Sequence, residues 1–397
     1  MKQRLELLAP AGNFSMLVAA VKAGADAVYF GLQKYGMRAN AKNFQIKDLE
    51  KMREVCNSSP RRTKMYVTLN TIMYDEELKD IEKTIKAIKE KVDAIICWDL
   101  SVVELCKKYS VPFFISTQAS VSNSKSAEFY KKIGAKRIIL ARELNLKQIK
   151  PISKILPVET FVHGAMCVAV SGRCFMSQFL FNRSANRGEC IHPCRRTYEV
   201  KDKQEGYELE LDNNKVMSAK DLCMLPYIEE MKKAGITSFK IEGRGRDSRY
   251  VDAVVRVYRK ALDKKLTKEE IKEGMKELES VYNRKFSSGF YLGKPSPKDF
   301  TDVEHSAATK KKVYVGKVLH YYNKLNVGTI KIETGKLEIG DEVCIIGNTT
   351  GIEKLKIIGI QKQGKEVSFG KKGDEVAIKV PEIVRKNDEV YVIKNSN

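Results

Sequence analysis

Along the first two thirds of the chain one pattern of apolar and polar positions repeats. A short run rich in β-branched and aromatic residues is followed by an amphipathic stretch with apolar residues three or four apart. The short runs fall at residues 5–9 (LELLA), 27–31 (AVYFG), 64–70 (KMYVTLN), 94–98 (AIICW), 112–117 (PFFIST), 137–141 (RIILA), 159–164 (ETFVHG) and 238–243 (SFKIEG). Their length and composition predict strands. Helical spacing fills the gaps, for example at 14–23, 76–89 and 124–133, with Asp75 as an expected N-cap and Gly24 and Gly134 where C-terminal caps belong. Strand and helix in alternation predict parallel strands joined by crossover helices, and eight of them predict an α/β fold of the TIM-like (β/α)8 barrel type. No G-x-G-x-x-G follows the first run, which speaks against a dinucleotide-binding sheet.

The pattern breaks in two places. Between the seventh and eighth runs the crossover is far too long, and an insertion at about 165–222 is expected to be functional. It holds a cluster of cysteines and an alternating stretch at 198–211 that reads as a hairpin, before a helix expected at 222–234. Two further helices are expected at 249–264 and 268–283, the second closing the barrel or covering its base. After residue 284 the character changes. Residues 285–311, with Pro295 and Pro297 among glycines and serines, read as a linker, and 312–397 alternate in short strands with turn signals. The expected organisation is a barrel over 1–284, the linker, and a small C-terminal β-barrel domain over 312–397.

Charge narrows the partners. The 72 Lys and Arg against 50 Asp and Glu leave +22. A polyanion is the natural partner and nucleic acid the first candidate. Residues 311–397 carry 16 basic against 11 acidic residues, so most of the excess belongs to the first domain. No apolar run is long enough for a membrane span. The first twelve residues make a poor signal peptide, their apolar run being broken by Glu6 and Pro10, and a cytoplasmic location is expected. In that compartment nine cysteines argue against a disulfide framework.

Cys167, Cys174, Cys190 and Cys194 are spaced C-x6-C-x15-C-x3-C. Four thiolates suit a zinc ion or an iron–sulfur cluster, and neither the paired knuckles of zinc ribbons nor the common ferredoxin spacing is present. The insertion leaves the seventh strand at the end where barrels do chemistry, which favours a catalytic or redox iron–sulfur cluster over zinc. Cys223 is a possible substitute ligand or a buried thiol; Cys56, Cys97, Cys106 and Cys344 read as core. At the same end fall Asn70, Thr71, Asp99, Ser116, Gln118, Asn123, Arg142, Glu143, His163, Glu242 and Arg244. From these, His163, Glu242, Arg244, Arg142 and Gln118 are the candidate catalytic groups. His163 reads as a ligand, a proton donor or a strand-end hydrogen-bonder, and His192 as a neighbour tuning a cluster. Arg249, Arg256, Arg259 and Lys260, with Tyr250 and Tyr258, are expected to offer RNA a basic, stacking helix face.

The segment ETFVHGAMCVAVSGRCFMS at 159–177 resembles the signature of the U32 peptidase family, the collagenase-like peptidases. The resemblance runs through LLAPAG at 7–12, DAVYFG at 26–31, NF at 43–44, STQAS at 116–120, GECIHPCRRTY at 188–198, SAKDL at 218–222 and KIEGR at 240–244. It implies a barrel-like first domain. Several members are oxygen-independent hydroxylases with a four-cysteine [4Fe-4S] cluster, acting on tRNA, ribosomal RNA or a ubiquinone precursor. The tRNA branch forms 5-hydroxyuridine and requires prephenate, a dicarboxylate that Arg142, Arg173 and Arg244 are then expected to hold. The resemblance maps the cluster ligands onto Cys167, Cys174, Cys190 and Cys194. The C-terminal part is similar to the β-barrel second domain of translational GTPases, which suits an RNA partner. The competing expectation is a peptidase. No H-E-x-x-H or G-x-S-x-G supports it, and Cys167 with His163 is the only local nucleophile–base pair. A non-enzymatic RNA-binding module with structural zinc is the remaining alternative.

Overall fold

The computed structural model describes residues 5–39, 41–170, 173–198 and 217–396. Seven parallel strands follow one another: β1 (Glu6–Pro10), β2 (Ala27–Gly31), β3 (Lys64–Thr68), β4 (Ala94–Cys97), β5 (Phe113–Ile115), β6 (Arg137–Ile139) and β7 (Val158–Gly164). After a short outer strand, β8 (Asp221–Cys223), comes β9 (Ser238–Ile241), which lies between β7 and β1 and closes the eight-stranded barrel. Each of the eight expected runs contributes one barrel strand.

The outer layer is built by α1 (Phe14–Lys22), α2 (Leu49–Asn57), α3 (Leu78–Ile88), α4 (Leu100–Lys108), α5 (Ser124–Lys132) and α6 (Leu146–Ile152). Then come α7 (Met176–Phe181) in the insertion, α8 (Ile228–Lys233), α9 (Ser248–Asp263) and α10 (Lys268–Ser280). Side chains of Asn13, Asp99, Asn123, Asn145, Asp247 and Thr267 accept backbone N–H bonds at their helix starts. Gly24 and Gly134 take left-handed φ values of +95° and +101° just past α1 and α5, as their positions imply. Asp75 is not an N-cap. Residues 75–77 form a 3-10 turn, and Glu77 reaches back to accept from the Tyr74 N–H at 3.0 Å. The helix expected at 222–234 is also divided. Residues 221–223 pair antiparallel with the end of β7 and become β8, so helix starts only at Ile228. The hairpin expected at 198–211 lies outside the described residues, apart from Tyr198.

The lower barrel interior is charged. Glu159, fully buried, accepts from Arg137 at 3.0 Å and from Lys240 at 2.9 Å. Arg137 also pairs with Glu6 at 2.5 Å, and Tyr66 donates to Glu6 at 2.8 Å. Burial works against the Arg137 charge, but Glu6 and Glu159 more than reverse that and raise its pKa.

Residues 285–311 are not a free tether. β10 (Phe286–Ser287) pairs with β8, Tyr291 OH donates to the Phe161 carbonyl at 2.7 Å, and Thr301 N–H donates to Ser218 O at 2.8 Å. From Lys310 to Asn395 the chain forms an eight-stranded antiparallel sheet with a two-stranded companion, around Val315, Val318, Ile330, Val376 and Val390. This second domain seats Cys344 and Ile352 on Ala19 of α1. Lys312–Asp247 at 2.8 Å and Lys354–Asp252 at 2.9 Å tie it to α9.

That docking overturns the expected RNA-binding face of α9. Arg249 donates to Ser280 O at 2.8 Å and Lys310 O at 3.3 Å, Arg259 pairs with Asp26 at 2.5 Å, and Lys260 pairs with Glu270 at 2.9 Å. Tyr250 and Tyr258 are buried. Arg256 pairs with Asp252 within the helix at 2.7 Å. Arg249 and Arg259 are used inside the molecule and both tyrosines are buried, so exposed Arg256 and Lys260 are left without the stacking face. Among the described residues, no helix is long and apolar enough to cross a membrane.

Candidate active site at the mouth of the barrel

The C-terminal ends of the barrel strands open into a cavity of about 450 Å³, roofed by the cysteine insertion. Alternation decides what reaches it. On β9 the inward positions carry Lys240 and then Glu242 just past the strand end; on β7 Phe161 faces in. Lys240 lies 4.3 Å from the centre of the Tyr29 ring, so the buried charge network leads up to the cavity floor.

Seven cationic side chains line the cavity: Arg38, Arg142, Arg195, Arg244, Arg246, Arg284 and Lys240. Glu242 is the single carboxylate among the lining residues. It pairs with Arg38 at 3.1 Å and accepts from Tyr29 OH at 3.3 Å. Burial alone would raise its pKa; Arg38, Arg142 and Arg244 outweigh that and hold it at about 2. Arg244 is buried and donates to Thr68 Oγ1 at 2.9 Å, and burial pulls its pKa down to about 10. Its guanidinium sits so close to Gly31 that a Cβ there would meet Nη1 at 2.5 Å, so the glycine makes room for the arginine. Arg142 lies over the Phe161 ring at 3.8 Å and donates to Ala165 O at 2.8 Å, while its buried Nε has no partner among the described residues. Gln118 accepts from Ser116 Oγ and from Asn70 Nδ2. Lys240 is balanced from below by Glu159, and buried Asp221 lies near Arg195, Arg246 and Arg284, but the six arginines still outnumber Asp221 and Glu242, so the cavity favours an anionic ligand.

Cys167, Cys174, Cys190 and Cys194 all line this cavity, and none is in a disulfide. Burial pushes the Cys194 thiol up, and Cys167, Cys190 and Cys174 add to the rise against Arg195. Cys190 Sγ accepts from Ser177 OH at 3.8 Å and from the His192 N–H at 3.4 Å. Such bonds stabilise a ligating thiolate. Among the described residues, no three His, Cys, Asp or Glu side chains are gathered closely enough to hold a single ion. A tetrahedral zinc needs its thiolates roughly 3.8 Å apart, from Zn–S bonds of about 2.3 Å. A four-iron cluster takes one thiolate per iron and suits a wider ring. Four free thiols on the wall of one cavity are donors that such a cluster would take.

Of the residues expected from sequence, Gln118, Arg142, Glu242, Arg244 and the four cysteines meet here. Two do not. His163 packs outward among Tyr250, Tyr258 and Phe286, with Nδ1 3.4 Å from Tyr258 OH, and burial pulls its pKa down to about 3. The irregularity in β7 between Phe161 and His163 turns it away from the cavity. It is a neutral core histidine and forms no dyad with Cys167. Cys223 is likewise buried behind β8, 3.7 Å from both Tyr258 OH and Met275 Sδ, with a thiol pushed up to about 11. It does not line the cavity. Arg173 is exposed and reaches the rim, donating to Gln118 O at 3.2 Å. His192 does line the cavity, and burial together with Arg38, Arg195, Arg284 and Arg246 lowers its pKa to about 4.

Arg38, Lys240, Arg246 and Arg284 escape the sequence reading. Lys240 carried a signal, a charge at the inward period of a buried strand, shared by Glu159 on β7. Arg38 and Arg284 lie in connections with no period to read.

A profile of peptidase family U32 matches residues 12–301. The chain belongs to peptidase family U32. A protein named collagenase from Porphyromonas gingivalis W83 is 40% identical over 405 residues, spanning 97% of each chain. The tRNA hydroxylation protein P1 of Bacillus subtilis is 37% identical over 355 residues, covering 86% of this chain and 83% of that one. A 23S rRNA 5-hydroxycytidine synthase of Escherichia coli is 40% identical over 266 residues, covering 66% of this chain and 39% of its own. The U32 match takes in β2 to β10, the cysteine insertion and the whole lining of the basic cavity. The chain is an enzyme of the U32 family, and U32 relatives carry both protease and RNA-hydroxylation names.

Proposed function

We propose that this U32 enzyme is an oxygen-independent RNA hydroxylase that forms 5-hydroxyuridine in tRNA, with a [4Fe-4S] cluster on Cys167, Cys174, Cys190 and Cys194 and prephenate as the required metabolite. The observation that carries the reading is the joining of four free thiols to a cavity with seven cations and one carboxylate. A peptide substrate would not call for that charge. A dicarboxylate metabolite does, and Arg142 and Arg244 are the arginines offered to it. In the overall exchange a base C–H and a metabolite C–OH become a base C–OH and a metabolite C–H. The base loses two electrons and the metabolite gains two. A bound cluster supplies the redox-active group for that exchange. The chain's own residues hold the anion, keep Glu242 ionised and shelter the site from water. The resemblance to the B. subtilis tRNA hydroxylation protein favours tRNA.

The test is direct. Protein purified without oxygen should be brown, and supplied with prephenate should convert uridine in unmodified tRNA to 5-hydroxyuridine, read by nucleoside mass spectrometry. Cys167→Ser should lose both colour and product. A colourless, zinc-containing protein would sink the cluster. Modification of ribosomal RNA or of a ubiquinone precursor in place of tRNA would redirect the substrate. Peptide cleavage by both the wild type and Cys167→Ser, with no RNA product from the wild type, would refute the hydroxylase reading and leave a peptidase that does not use that thiol.

A further inference from the structure

A second cavity, about 500 Å³, lies beside the basic one. Met166, Cys167 and Val168 line both. Its other walls are the start of α6 and the 287–300 segment. That segment is fastened to the barrel. Tyr291 OH bonds to Phe161 O at 2.7 Å, Leu146 N–H donates to Tyr291 O at 3.1 Å, and Lys220 N–H donates to Asp299 O at 2.9 Å. The wall is thus a built surface, and its volume is within the range of about 300–1,000 Å³ usual for small-molecule sites.

The two chambers differ in charge. The basic one sets seven cations against Glu242. In the second, Lys220 and Lys294 are matched in number by Glu143 and Asp299, and the rest of the wall is apolar or amide apart from Ser287 and Cys167. Half-buried Phe290 and Phe300 supply aromatic surface. Asn145 and Gln148 spend their side-chain oxygens on each other's backbone N–H, at 3.0 and 2.9 Å. Their amide nitrogens have no partner among the described residues and remain as donors.

We infer that the second cavity receives the target pyrimidine of an RNA strand, flipped out of its stack, with Cys167 as the partition between base and anionic metabolite. The inference rests on the hydroxylase reading, because that reaction must bring a neutral base and an anion to one centre. A flat neutral heterocycle needs apolar faces to lie on and donors for its carbonyl edge; Phe290, Phe300, Asn145 and Gln148 provide them. Stacking on an aromatic side chain offsets the unstacking of a base from an RNA loop. Lys294, exposed at the rim, suits the flanking phosphate.

The experiment is photo-crosslinking of the anaerobically purified protein to an RNA hairpin carrying 5-iodouridine in its loop, with adducts mapped by mass spectrometry. Adducts are expected on Phe290 or Phe300. Phe290→Ala should lose the Phe290 adduct and Phe290→Tyr should keep one at that position. Gln148→Ala should raise the KM for RNA about tenfold, equivalent to about 1.4 kcal/mol, with wild-type iron and sulfide content. Adducts confined to the exposed Phe175 and Phe179 of the insertion, or none although RNA is bound, would overturn the inference. So would an unchanged KM in Phe290→Ala. Failure of the hydroxylase reading looks different: the adducts form on Phe290 or Phe300, yet no hydroxylated nucleoside appears.

Discussion

His163 and Cys223 stand opposite each other across β7 and β8 and share Tyr258 as a neighbour, outside the basic cavity. A histidine held neutral by burial ties stability to pH. In the unfolded chain it takes a proton below about 6.5, while in the folded protein it resists until about 3. Its contribution is full above pH 6.5 and is lost as pH falls toward 3, a loss on the order of a few kcal/mol. Glu242 acts in the same direction lower down. Its depressed pKa makes a contribution that is full above about 4.5 and lost as pH falls toward 2. The urea midpoint should therefore drop between pH 7 and 4. In His163→Phe that first part of the drop should be blunted, while hydroxylation per folded molecule stays within about twofold of wild type. A variant that folds but loses hydroxylation would return His163 to the reaction. Sequence placed His163 correctly at the end of a strand. Which way it faced depended on one irregular residue step, and that is a tertiary matter.

At the scale of elements, β7 and β9 do the most. They close the barrel side by side, and their inward positions carry Glu159, Lys240 and Glu242. Glu159→Gln would leave Arg137 short of one partner and Lys240 without its carboxylate in a buried setting. A loss of about 3–5 kcal/mol is expected, the usual result of breaking a buried ion pair, read as a shift in the denaturant midpoint. An unchanged midpoint would mean that water reaches the network. The strands themselves were legible, because β-branched runs bounded by capping residues report local geometry. The charged interior was written in the same runs as alternate positions. It was masked because the strands are covered on both faces and read as continuously apolar. β8 was not legible: residues 221–223 are strand only because the edge of β7 is there to pair with.

At the scale of the whole molecule, the +22 charge is partly spent internally, as the pairs of α9 with Asp26, Glu270 and the second domain illustrate. Seven of the remaining cations line the cavity at the barrel mouth. Affinity for tRNA should fall about twenty- to forty-fold between 50 and 200 mM salt if roughly three phosphates are neutralised, by counterion release. A flat salt dependence would argue against an electrostatic RNA interface. The sequence by itself determined the barrel, because period and caps are local properties of the chain. It also determined the family and the grouping of four thiols within one insertion. Only the tertiary structure decided which charges face inward, that His163 and Cys223 belong to the outer layer, and that the supposed linker is a cavity wall. Arg38, Arg142, Arg195, Arg244, Arg246, Arg284 and Lys240 come from separate strands and loops, and no local pattern records that they share one space. A closed barrel brings all its strand ends to one mouth, and that closure is what turns scattered cations into a site.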